Sequence, residues 1–324
     1  MQYYPYDAWL HWELLSSCNL DCAYCFYYGA KNPQINKINI PSLLRALEET
    51  GKIFRISFTG GEPFLVPNII EASVEITKKH YVGFNTNLIC ENIKEFAKKI
   101  NPAKVIEIHA SLHIKELERN NLLENFINNF YLCKKRGFPI YAQTTAYPPL
   151  LNEVDKYRSF FKEKGIEISF APFLGTYNGR SYPYSYSSEE LQGFNLRLGI
   201  IARLYQYLTI CNAGYNVGIV QNNGDIHPCY GIEKTIGNIY KKIEFEDNLL
   251  ICPNKICGCN LKEIAPHLFE KALKENKAIL KRIDLALRYF GALCTIDFNK
   301  FNNKIKNISS VYKLAKKGEI RYKN

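Results

Sequence analysis

The sequence predicts an α/β protein: a partial (β/α)6, TIM-like barrel with a small C-terminal cysteine-rich domain and a helical tail. Three observations predict it. From about residue 8 to 171, strand-like and helix-like segments alternate through six strands. Such alternation gives parallel βα units with right-handed crossovers, and six units in place of eight leave the barrel open. Past residue 188 the rhythm stops and cysteines gather, and from 261 the chain turns basic and helical. The expected boundaries are 1–187 for the barrel, 188–262 for the cysteine-rich domain and 263–324 for the tail.

The elements follow in order. AWLHWELL (8–15) reads as the first strand and runs into a cysteine loop. PSLLRALEET (41–50) is a helix opened by Pro41, which suits a first helical turn. FRISFTG (54–60), YVGFNTN (81–87), KVIEIHASLH (104–113), FPIYAQTTAYP (138–148) and IEISFAPF (166–173) are the remaining strands. Between them, helices are expected at 68–79, 91–100, 114–136 and 152–164, two of them stopped by Gly137 and Gly165. A Gly/Pro/Tyr/Ser-rich connection (174–187) precedes a helix across 189–208, capped by Ser187 or Ser188. NVGIVQNNGDIHPC (216–229) reads as a hairpin turning at Asn223-Gly224.

Composition narrows the classes. With 324 residues, 47% of them hydrophobic, the chain buries a real core. No run approaches the roughly 20 apolar residues of a membrane span, and MQYYPYDAWLHWELL has neither basic n-region nor cleavage site. A cytoplasmic location is the expectation. The net charge of +11 favours acidic partners or serves solubility, because no Lys/Arg block exceeds three residues. No nucleic-acid recognition motif accompanies it.

Eleven cysteines fall mainly into two groups: Cys18, Cys22 and Cys25, then Cys211, Cys229, Cys252, Cys257 and Cys259. Tight clusters and an odd count argue for metal over disulfides. Three thiolates are too few to close a structural zinc site. On a cubane iron–sulfur cluster, three thiolates leave one iron open for a ligand. FTGGEP (58–63) stands after the second strand, on the same rim as the cysteine loop. Its glycines allow close backbone approach, Glu62 offers an acceptor for an ammonium group, and Pro63 fixes the exit.

CNLDCAYC followed by GGEP resembles the radical S-adenosylmethionine (SAM) superfamily, over about residues 8–175. The family pattern is C-x3-C-x-aromatic-C, and Tyr24 supplies the aromatic. The resemblance implies that Cys18, Cys22 and Cys25 ligate a [4Fe-4S] cluster whose open iron is chelated by SAM. It implies that Gly60, Gly61, Glu62 and Pro63 line the methionine part, and that Asn87 and Ser111 contact SAM from the third and fourth strands. Two departures stand out: Leu88 replaces the glycine of T-N-G, and His113 replaces the acid of S-L-D-G. The implied chemistry is reductive cleavage of SAM to a 5′-deoxyadenosyl radical, which abstracts a hydrogen atom from an unactivated carbon. A reductant such as flavodoxin or ferredoxin is the implied partner.

The second cysteine group is similar to the auxiliary-cluster extension of this superfamily, called twitch with one cluster and SPASM with two. C-x-A-G followed by G-D-I-H-P-C fits its opening hairpin. A full SPASM domain has seven cysteines and this region has five, which favours twitch with one auxiliary [4Fe-4S] cluster. Cys211, Cys229, Cys257 and Cys259 are the first choice of ligands, with Cys252 the ambiguous fifth; zinc is the competing metal.

Cys90, Cys133 and Cys294 stand apart and read as small buried hydrophobes, with Cys90 the best placed to return a hydrogen atom. His109 and His113 read as structural. The Tyr177–Tyr186 tyrosine cluster reads as a packed loop in preference to a base-stacking surface. The leading substrate expectation is a small anionic, sugar-derived metabolite undergoing dehydrogenation or rearrangement. The alternatives are a peptide maturase or epimerase and, outside enzymes, an iron–sulfur electron carrier or redox sensor. The first strand starts within ten residues of Met1, so no N-terminal peptide-recognition domain is expected.

Overall fold

The computed structural model describes residues 5–26, 35–196, 209–254 and 265–276. Six parallel strands run in sequence order: β1 (Ala8–Glu13), β2 (Phe54–Thr59), β3 (Tyr81–Thr86), β4 (Val105–Ser111), β5 (Ile140–Ala146) and β6 (Ile168–Pro172). Helices α1 (Ile40–Glu49), α2 (Ile69–Thr77), α3 (Ile93–Lys99), α4 (Ile114–Arg119), α5 (Leu123–Lys135) and α6 (Val154–Glu163) connect them. The expected partial (β/α)6 barrel is the observed fold.

Alternation along each strand decides which face carries the core. Phe54, Ile56 and Phe58, with Val82, Phe84, Ile108 and Ala110, pack against the helices. The opposite, inner face is polar. His11, Ser57, Gly83 and Glu107 belong to one layer across it; Glu13, Thr59, Asn85, His109 and Tyr141 form the next. Ser111, Gln143 and Ser169 form a third layer toward the C-terminal rim. An inner wall of this chemistry is built to meet a ligand, in contrast to the packed interior of a closed barrel.

One expected helix is two. The 114–136 segment breaks between Arg119 and Leu123, where Asn121 sits at φ 56°. Asparagine tolerates that left-handed conformation, and the Asn120 side chain donates to the Glu116 carbonyl at 2.7 Å. The 189–208 helix is also shorter. Here α7 (Ser188–Gly193) starts from a Ser187/Glu190 capping box and stops before Asn195 at φ 55°; residues 197–208 lie outside the described residues.

The 174–187 connection is a small hairpin, β7 (Gly175–Tyr177) with β8 (Arg180–Tyr182). Tyr182 and Tyr186 are buried, and Arg180 pairs with Glu190 at 2.8 Å, so this is packed structure.

The cysteine-rich segment brings β9 (Ile210–Cys211), β10 (Val217–Val220), β11 (Asp225–His227), β12 (Gly237–Asn238), β13 (Lys242–Ile243) and β14 (Leu250–Ile251). The hairpin β10–β11 does turn at Asn223-Gly224, with Gly224 at φ 89°. It does not stand off as a sheet of its own. Strand β10 pairs in parallel with β1, His11 opposite Ile219, so β10 to β13 extend the barrel sheet to ten strands.

Helix α8 (Pro266–Glu275) is the described part of the tail. Leu268 and Ala265 bury against Trp9, Val217 and Ile219, capping the N-terminal end of the inner face. Beside them Arg55, 2% exposed, stacks on Trp9 at 4.3 Å, donates to Ser57 at 2.9 Å and pairs with Glu107. That end of the interior is closed, so a ligand enters from the C-terminal rim. No helix among the described residues is long and apolar enough to cross a membrane.

Candidate active site

The cysteine loop and the GGEP turn are built against each other. Gly61 donates its N–H to the Leu15 carbonyl at 2.6 Å, and Glu62 donates to Ser17 at 2.9 Å. A Cβ on Gly61 would collide with the Ser17 carbonyl, and one on Gly60, at φ 121°, with the Leu15 carbonyl. The glycine pair therefore admits the backbone that leads into Cys18; close approach to a ligand is not what excludes a side chain here.

Glu62 is the acceptor expected to meet an ammonium group. It is fully buried, and its carboxylate accepts Phe64 N–H at 3.0 Å, Thr86 Oγ1 at 2.8 Å and Asn87 N–H at 2.7 Å. Burial pushes its pKa up to about 7, against the three donors that favour the charged form. Its side chain bolts the rim of β2 to the rim of β3.

Asn87 is likewise turned inward. Its Nδ2 donates to Asn19 Oδ1 at 2.6 Å and to Cys18 Sγ at 3.7 Å. The Leu20 N–H reaches the same sulfur at 3.4 Å. Asn19 in turn donates to Cys90 Sγ at 3.5 Å, which brings Cys90 beside the cysteine loop. The Tyr24 hydroxyl and His113 Nδ1 share a hydrogen bond at 3.0 Å, the hydroxyl is also hydrogen-bonded to the Cys22 sulfur, and the ring packs on Tyr147 at 5.1 Å. Burial holds His113 down to about 4, so its imidazole is neutral, and its tautomer decides which partner donates. The strand ends at Ser111, so His113 leaves the inner face and begins α4, while His109 stays there, stacked on Tyr141. Ser111 is half-buried on the inner rim.

Asn19, Thr86 and Tyr147 are site-building residues that the motif reading passed over. Their signal was position: Asn19 lies between two motif cysteines, Thr86 ends β3 and Tyr147 follows the end of β5. The C-terminal ends of such strands are where parallel sheets place their chemistry.

Cys18, Cys22 and Cys25 lie on one loop, each thiolate within electrostatic reach of the others. Among the described residues no three His, Cys, Asp or Glu side chains converge as around a single ion. A cubane distributes its ligands over separate irons, so three sulfurs spread along one loop suit it. Burial pushes the Cys18 and Cys22 thiols up, so metal binding must displace their protons.

In the extension, Cys211 of β9 stands opposite Leu250 of β14, and Cys252 N–H donates to Thr209 at 2.9 Å. That register puts Cys211 and Cys252 on the same face of the two-stranded ribbon. Cys229 follows β11 and bridges Ile232. Cys257, Cys259 and Cys294 lie outside the described residues.

A parallel α/β half-barrel with three cysteines and a glycine turn on one rim defines a cluster-bearing enzyme class. Residues 12–161 match the family model of the radical SAM superfamily. Those residues form a radical SAM domain, and the described fold is similar to that of twitch/SPASM-type structures. Its cofactors are a [4Fe-4S] cluster and SAM.

An uncharacterized protein of Methanocaldococcus jannaschii is 24% identical over 294 residues, 80% of this chain and 96% of that protein. The cysteine-type anaerobic sulfatase-maturating enzyme of Clostridium novyi is 26% identical over 210 residues, 55% of each chain. Among solved structures, anSMEcpe with bound AdoMet aligns with TM-score 0.53 at 21% identity, covering 72% of this chain and 77% of that one. Streptococcus suis SuiB bound to precursor peptide SuiA aligns with TM-score 0.51 at 18% identity, covering 74% and 63%.

Proposed function

We propose that this radical SAM enzyme modifies a peptide, taking a hydrogen atom from an unactivated carbon held against the inner wall of the half-barrel. This replaces the small anionic metabolite as the leading substrate. The inner wall carries the reading: Arg55 is the one cation contributed by β1 to β6, and it is bound to Glu107. A phosphate or carboxylate would find no unpaired positive charge on that described face, whereas polar uncharged groups suit backbone amides. The sulfatase-maturating relative and the SuiB–SuiA likeness support the same substrate class.

In this reading Cys18, Cys22 and Cys25 hold the cluster that opens SAM reductively. Tyr24, Gly60 to Pro63, Asn87 and Ser111 frame the SAM pocket, the backbone of the turn supplying the acceptors that the buried Glu62 side chain does not. Residues of the extension hold one auxiliary [4Fe-4S] cluster, drawn from Cys211, Cys229, Cys252, Cys257 and Cys259, and a flavodoxin- or ferredoxin-type protein delivers electrons. The shared ribbon face of Cys211 and Cys252 supports counting Cys252 among the ligands.

The test is mass spectrometry of short peptides encoded beside the gene, after incubation with the anaerobically reconstituted enzyme, SAM and reductant. A SAM-dependent peptide mass change is expected. Turnover of a sugar phosphate with every such peptide untouched would overturn the peptide reading.

A further inference from the structure

The Asn87 side chain has a place that neither the motif nor the family match assigns. Asn87 is 3% exposed and held from three directions. Its backbone N–H is fixed by Glu62 at 2.7 Å, its Oδ1 accepts Ile89 N–H at 3.3 Å, and its Nδ2 faces Asn19 Oδ1 at 2.6 Å. The Oδ1 contact with a backbone donor fixes which end of the amide is nitrogen. That nitrogen is the one 3.7 Å from Cys18 Sγ.

We infer that Asn87 is a positioning residue that donates an N–H···S hydrogen bond to the Cys18 thiolate and thereby sets the reduction potential of the SAM-binding cluster. The physics is electrostatic. Reduction adds a negative charge to the cluster, and a hydrogen bond to a ligating sulfur stabilises the more negative state. The donor is rigid because its amide is held at both ends, so it does not reorganise when the electron arrives. Asn19, which spans Asn87 and Cys90, keeps the amide from rotating away.

This rests on Cys18 being a cluster ligand, and the two claims fail differently. The experiment is an EPR-monitored redox titration of the reconstituted full-length chain, following the signal that changes on adding SAM. Asn87→Ala should retain the wild-type iron content, with a midpoint more negative by about 59 mV, a tenfold shift in a one-electron equilibrium. Asn87→Asp, which replaces the donor by an acceptor of negative charge, should shift it further in the same direction. A wild-type chain whose Cys18→Ala variant keeps the SAM-responsive signal would overturn the ligand assignment. Variants that load iron fully yet titrate at the wild-type midpoint would overturn the inference while leaving that assignment standing. Should the Ala variant fail to fold, the isosteric Asp variant decides alone, by the same midpoint.

Discussion

The Tyr24 hydroxyl and Nδ1 of His113 share a hydrogen bond at 3.0 Å, tying the cysteine loop to the N-cap of α4, two residues past β4. The family motif has an acid where His113 stands, so this chain links loop and rim through a neutral imidazole. Tyr24→Phe removes that hydrogen bond and should cost about 1 kcal/mol. Thermal unfolding of the reconstituted protein measures it; the fold is expected to survive because the Tyr24–Tyr147 packing remains.

Gly61→Ala should be far more damaging to the metal site than its size suggests. The added methyl meets the Ser17 carbonyl, so the chain leading into Cys18 must move. Iron per chain should fall, with circular dichroism close to wild type.

Glu62→Ala strands three donors at once: Phe64 N–H, Asn87 N–H and the Thr86 hydroxyl. Each unsatisfied buried group costs about 1–3 kcal/mol, so a loss above about 3 kcal/mol is expected in urea unfolding. Glu62→Gln keeps one acceptor oxygen and should lose less.

Arg55 and Glu107 should couple. Arg55→Met leaves Glu107, about a quarter exposed, without its cation, and breaking a buried pair costs about 3–5 kcal/mol, less here because Glu107 is partly solvated. Adding Glu107→Leu should restore part of the loss. Equal and additive losses in the double-mutant cycle would contradict the pairing.

Acid should destabilise the chain through its buried histidines. Burial holds His11, His80 and His113 each down to about 4, below the unfolded value of about 6.5. As pH falls from about 6.5 to 4 the unfolded chain takes protons that the native one refuses, so stability falls by about 1.4 kcal/mol per pH unit for each histidine. Glu62, raised to about 7, works the other way: its contribution is present at low pH and lost as pH rises through 7. His80, which accepts Phe54 N–H at 3.2 Å, is the cleanest probe. His80→Gln should reduce the slope of the unfolding midpoint against pH, between pH 6.5 and 4.5, by one proton.

Much of the fold was legible in the sequence because parallel βα units impose strong local periodicity. The six strands, the turn at Asn223-Gly224 and the shared rim of Cys18 and GGEP follow from residues close in the chain. The helix break at Asn121 was not, since asparagine suits both a helix and a left-handed residue, and its neighbours decide. The pairing of β10 with β1 was also hidden: it joins residues some 200 positions apart, and no local pattern encodes a partner that distant.

The sequence by itself determined which groups the loop carries: three cysteines spaced C-x3-C-x2-C, on which the radical SAM resemblance rests. Only the tertiary structure decided what surrounds it. Packing makes the Glu62 side chain a bolt between strands and aims the Asn87 amide at Cys18. Direction is the physical reason. A motif fixes which functional groups are present, whereas burial and the nearest unsatisfied donor or acceptor fix where each group points.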